Sequence, residues 1–81
     1  MKMNKEIFEQ LKEIIYDYLG DEPELNENSL LGDDLGLSSL DLISIVGDIE
    51  DRFEIEFEDD AVPSIKTVKD AVDYIASRLG K

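Results

Sequence analysis

Cysteine and histidine are absent from all 81 residues of the chain. Without cysteine there is no disulfide framework, no thiol nucleophile and no thiolate metal site. Without histidine the commonest general base and the commonest metal ligand are both missing. Positive charge is scarce as well. Eight Lys and Arg stand against 21 Asp and Glu, a formal net charge of −13. A charge that negative repels phosphate backbones and anionic headgroups, so no nucleic acid and no membrane is expected as a partner. A basic protein surface is expected instead. No apolar run approaches the ~18 residues of a membrane span. The charged start Met1-Lys2-Met3-Asn4-Lys5-Glu6 lacks the apolar stretch of a signal peptide. A cytoplasmic address is the default expectation, and catalysis by the chain's own side chains is not expected.

Hydrophobic residues make up 42% of the chain, enough for a small packed core and too many for a disordered acidic tail. The length allows one domain, residues 1–81. It limits burial to roughly 60–65% of the unfolded surface, so stability should be modest.

Helical periodicity dominates. After Asn4, a suitable N-cap, the residues Ile7, Phe8, Leu11, Ile14, Ile15 and Tyr18 form one broad apolar stripe. Gly20 and Pro23 end the segment, which predicts a helix over about 4–19. Residues 20–38 show no sustained period, but Leu25, Leu30, Leu31, Leu35 and Leu37 punctuate them. A long loop pinned across the bundle by its leucines is expected. Ser38 or Ser39 can cap a second helix over about 39–53, whose core stripe is Leu42, Ile45, Val46, Ile49 and Phe53. Leu40 and Ile43 lie off that stripe, and Gly47 sits mid-helix, where it costs about 1 kcal/mol relative to Ala.

Ile55-Glu56-Phe57 reads as an extended connector, and residues 58–62 as a single helical turn that ends at Pro63. Thr67, with Asp70 in the capping-box position, starts a last helix carrying Val68, Ala71, Val72, Ile75 and Leu79. Gly80 closes it. The fold class is all-α: a small four-helix bundle with three main helices, one short third helix and a long first loop.

Nine of the residues from 41 to 60 are acidic, and Arg52 is the only basic one. No EF-hand spacing occurs among them, so no dedicated metal site is expected. A run this one-sided opposes compaction, which is tolerable if it steers a basic partner.

Asp34-Leu35-Gly36-Leu37-Ser38-Ser39-Leu40-Asp41 places a serine where a glycine-bearing loop meets a helix N-terminus. Free N–H groups and the helix dipole can stabilise a phosphate attached to such a hydroxyl. No base or nucleophile elbow accompanies it, so the serine suits modification by another enzyme. On the residues alone, a serine that only caps the helix is the simpler reading.

The same stretch, followed by an acidic amphipathic helix, resembles the attachment motif of the acyl carrier protein family. The likeness extends over almost the whole chain, through the helix order to Val68, Ala71, Val72, Asp73, Tyr74 and Ile75. The resemblance implies a carrier and not an enzyme. Ser39 would bear 4′-phosphopantetheine, delivered from coenzyme A by a phosphopantetheinyl transferase. The arm's thiol would hold an acyl group as a thioester, for fatty acid, polyketide or related biosynthesis. The implied partners are acyl-transferring, ligase or condensing enzymes with basic docking surfaces, and the carrier is expected to be a monomer. Leu40, Asp41, Ile43, Ser44, Gly47, Asp48 and Asp51 fall on the implied docking surface, to which Glu50 is a further candidate. Leu42, Val46, Ile49, Phe53, Val72 and Ile75 are the residues implied to shelter an acyl chain.

Three positions depart from the family pattern. Ser38 stands where the family usually has Asp, Ser44 where it often has Glu, and Gly47 where it often has a larger apolar residue. All three touch the docking surface and none the core. Two alternatives to an acyl carrier stand at this point: a peptidyl or aminoacyl carrier with the same arm, and an acidic helical interaction module without one.

Overall fold

The computed structural model describes residues 4–80. Helix α1 spans Lys5–Leu19. Asn4 opens it, its side-chain oxygen accepting the Ile7 N–H at 3.1 Å, which satisfies one of the free donors of the first turn. Ile7, Leu11, Ile14 and Ile15 are buried, each worth roughly 1.5–3 kcal/mol of transfer free energy. Gly20 ends the helix in the left-handed region at φ 71°. The end of the apolar stripe differs from expectation. Tyr18 is 39% exposed, because its phenol reaches across to α2 (Ser39–Phe53). Tyr16 is half-buried in its place and donates to the Pro23 carbonyl at 2.8 Å.

The long loop is held by backbone as much as by leucine. Leu25, Leu31 and Leu37 are buried, Leu35 is half-buried and Leu30 is exposed. Leu31 donates to the Lys66 carbonyl at 2.9 Å, Val68 to Ser29 at 3.1 Å and Lys69 to Glu27 at 3.0 Å. These bonds zip the loop to the start of α3 (Val68–Leu79), with an isolated antiparallel bridge between Leu30 and Thr67. Thr67 and Asp70 close the expected capping box.

On α2, Ile45 and Ile49 are buried, while Leu42, Val46 and Phe53 are half-buried. The expected turn over 58–62 is displaced: a short 3-10 helix spans Val62–Ser64, with Pro63 inside it. Proline lacks an N–H and has its φ preset, so it suits the opening of a helical turn, where no internal donor is needed. Residues 55–58 form the irregular connector expected. The core joins α1, α2 and α3 through Leu11, Ile15, Ile49, Val72 and Ile75. The arrangement is an all-α bundle of three main helices and one short one.

Candidate functional site at the start of the second helix

The two adjacent serines have different environments. Ser38 is the N-cap of α2, with extended backbone, and Ser39 is the first helical residue. The Asp41 N–H donates to the Ser38 hydroxyl oxygen at 3.3 Å. In return the Asp41 carboxylate accepts the Ser38 N–H at 2.8 Å and the Ser38 hydroxyl at 3.0 Å. Ser38 is therefore fully engaged in a capping box. Ser39 is exposed, and among the described residues no hydrogen bond holds its hydroxyl. Gly36, at φ 71°, takes the left-handed conformation that turns the loop into this cap, a position that strains any residue with a Cβ.

A second contact fixes Asp41. The Tyr18 phenol donates to its other carboxylate oxygen. These bonds hold the Asp41 carboxyl below its ordinary value, the Tyr18 bond contributing most and the Ser38 bonds next. The same bond and the nearby negative charge push the Tyr18 phenol up.

Ser39 borders a long open groove of about 910 Å³, lined by Ile43, Val46, Gly47 and Glu50 of α2 and by Phe57 and Pro63 opposite. Leu40 is 76% exposed and Ile43 57%, both free to meet a partner. A Cβ on Gly47 would touch nothing within 4 Å, so no packing inside the chain requires glycine there. Ser44, Asp48 and Asp51 are exposed. Asp48 and Asp51 border α1 across a shallow dip with Asp17. Glu50 is already engaged, its carboxylate accepting the Phe57 N–H at 2.8 Å. Arg52 pairs with Glu13 of α1 at 3.3 Å.

The residues expected to shelter an acyl chain fall into two groups. Leu42 and Val46 line both the groove and a small interior space of about 20 Å³, and Ile49 lines the interior space alone. Phe53, Val72 and Ile75 line neither and belong to the packed core. Sequence reasoning missed Phe57, which lines both spaces. Its alternation with polar neighbours at 54, 56 and 58 was the available signal.

A phosphate ester fits at Ser39. The Ser39 and Leu40 N–H groups open the helix and have no partner within it, and the dipole favours negative charge there. The nearest helix carboxylate, Asp41, has its oxygens turned toward Ser38 and Tyr18.

Comparison with known proteins agrees with this geometry. A family model described as phosphopantetheine attachment site matches residues 9–75. The acyl carrier protein of Thermotoga maritima is 43% identical over 81 residues, covering 99% of this chain and 100% of that one. That of Zymomonas mobilis subsp. mobilis is 48% identical over 68 residues, covering 83% of this chain and 87% of that one. A crystal structure of an acyl carrier protein from Thermotoga maritima superposes with a TM-score of 0.84 at 30% identity, covering 94% of this chain and 89% of that one. Motif, helix order and relatives agree: the chain belongs to the acyl carrier protein family, whose members bear a covalently attached 4′-phosphopantetheine.

Proposed function

We propose that Ser39 is the attachment residue and that residues 1–81 act as one carrier domain. The observation that carries this reading is the division of labour between the two serines: Ser38 is spent on the capping box, and Ser39 stands exposed beside the groove. The arm supplies a thiol on which an acyl group is held as a thioester. The chain's own residues contribute presentation and recognition. The opening N–H groups of α2 stabilise the phosphate, and Asp41 holds the helix start in place through Ser38 and Tyr18. Leu42 and Val46 offer the first apolar surface inside the groove.

For partners, Leu40 and Ile43 form an exposed apolar tip, with Gly47 leaving a gap beside them on the same outer face. Asp48 and Asp51 flank that face with negative charge. This combination suits a phosphopantetheinyl transferase and acyl-transferring, ligase or condensing enzymes that present a basic rim around an apolar contact. No helix among the described residues is long and apolar enough to cross a membrane.

Incubation with coenzyme A and a phosphopantetheinyl transferase tests the reading. The expected result is an intact-mass gain of one phosphopantetheinyl group and one new thiol titratable by maleimide. An unchanged mass, with a control carrier modified in parallel, contradicts it.

A further inference from the structure

Packing gives the first turn of α2 little support. No residue between Leu37 and Ile45 is buried, and only Asp41 and Leu42 are half-buried. Ser39 lies in that stretch beside Leu40, which is 76% exposed. The N–H groups of a first helical turn lack partners within the helix. Exposed helix ends with few apolar contacts open locally well before the rest of a fold. The direction of the Ser39 hydroxyl is therefore not set by burial, and no side-chain hydrogen bond of its own sets it among the described residues.

One side chain from another helix reaches this turn. Tyr18, in the last turn of α1, donates its phenol hydrogen to Asp41 Oδ1. Asp41 Oδ2 accepts the Ser38 N–H at 2.8 Å and the Ser38 hydroxyl at 3.0 Å. These bonds run as a relay from α1 through the carboxylate to Ser38, the residue immediately before Ser39. Each of them has an ionised acceptor, which makes it roughly twice as strong as a neutral bond. Among the described residues, no other side-chain hydrogen bond joins residues 38–42 to another helix. Tyr16, on the same helix, offers an internal comparison. Its phenol also makes one bond, to the Pro23 carbonyl at 2.8 Å, which ties α1 to the loop that follows it and not to α2.

We propose that Tyr18 is a positioning residue for arm transfer: through Asp41 and Ser38 it fixes the direction in which Ser39 presents its hydroxyl to coenzyme A. In the transfer the Ser39 oxygen bonds to the phosphorus that bears pantetheine. The bond from that phosphorus to the adenosine bisphosphate leaving group breaks, and the serine proton passes to a base on the transferase. Such a displacement needs the attacking oxygen about 3–3.5 Å from phosphorus and in line with the breaking bond. Tyr18 touches none of the reacting atoms. It restrains the turn that carries one of them, where a misplacement of about 1 Å costs up to about a hundredfold in rate. This inference rests on the carrier reading above.

The test is single-turnover transfer, with a phosphopantetheinyl transferase in excess and coenzyme A saturating, followed over time by intact mass. It yields the transfer rate at saturation and the transferase concentration at half-saturation. In Tyr18→Phe the saturating rate should fall by about tenfold or more, while half-saturation stays within about twofold of the natural chain. Tyr16→Phe deletes a phenol bond on the same helix and should leave both quantities unchanged, which separates positioning from a general loosening of α1. In an Asp41→Ala background, where the relay is already cut, Tyr18→Phe should have no further effect. An undiminished rate in Tyr18→Phe overturns the proposal, as does an equal fall in Tyr16→Phe. A change confined to half-saturation, or a full effect of Tyr18→Phe without Asp41, overturns it too. A natural chain that accepts no arm contradicts the carrier reading itself, whereas an arm accepted equally fast by Tyr18→Phe contradicts this inference alone.

Discussion

The Tyr18 phenol donates to the Asp41 carboxylate at 2.5 Å, joining the last turn of α1 to the first turn of α2. Asp41 in turn holds Ser38, so the frame in which Ser39 is presented is fixed from α1 through two side chains. Both titrations are coupled to folding. Asp41 is held below its ordinary 3.8, so its contribution is complete above that pH and is lost as pH falls through the lowered value. Tyr18 is pushed above its ordinary 10.0, so its contribution is complete below that pH and is lost as pH rises through the raised value. The stability difference between the natural chain and Tyr18→Phe should therefore be constant from about pH 5 to 9 and shrink at both extremes. Urea midpoints of the two proteins, taken across that plateau and well beyond it on the acid and alkaline sides, measure it. A difference independent of pH would show that the bond contributes nothing.

Helix α2 has a glycine where a helix favours a side chain, and a side chain where a helix end favours glycine. Gly47 is mid-helix in open space, and Glu54 caps the end in the left-handed region at φ 56°. Gly47→Ala should raise stability by about 1 kcal/mol. Glu54→Gly should raise it by somewhat less, because about 1–2 kcal/mol of left-handed strain is relieved while the unfolded chain gains freedom. Denaturant midpoints should rise with unchanged slopes. A loss of stability in Gly47→Ala would mean that something not seen here packs on that face.

Most of the helical framework was legible because apolar spacing and caps are local. Asn4, Ser38 with Asp41, and Thr67 with Asp70 start helices, and Gly20 and Gly80 stop two of them, as their residue types require. The displaced turn at Pro63 failed for a local reason, while two other readings depended on neighbours distant in sequence. Tyr16 and Tyr18 both sit at the end of the α1 stripe, and only the position of Asp41 decides that Tyr18 turns outward. Leu30 and Leu31 are alike in sequence, but the pairing with Thr67 and Lys66 sends one to solvent and the other to the core. The exposed serine at the start of α2 was legible from the motif, whereas the place of Phe57 beside the groove was not, since that groove is assembled from α2, the connector and the 3-10 helix.

Charge reversal tests docking. Asp48→Lys with Asp51→Lys removes the two free carboxylates beside the apolar tip while leaving Glu50 tied to Phe57. Association with a phosphopantetheinyl transferase should slow by about tenfold or more at low salt and lose much of its salt dependence. Helical circular dichroism should be retained, because both residues are exposed. Unchanged association kinetics would remove this face from the interface.

Mapping of the modified residue tests the central claim most directly. The two serines are adjacent, and one residue at a helix start turns a side chain by about 100°, so a transferase cannot treat their hydroxyls alike. After incubation with transferase and coenzyme A, digestion and mass spectrometry should place the arm on Ser39. Ser39→Ala should remain folded and unmodified. Ser38→Ala should still accept the arm, with a stability loss of about 1 kcal/mol from the missing cap. An arm found on Ser38, or full modification of Ser39→Ala, would contradict the assignment.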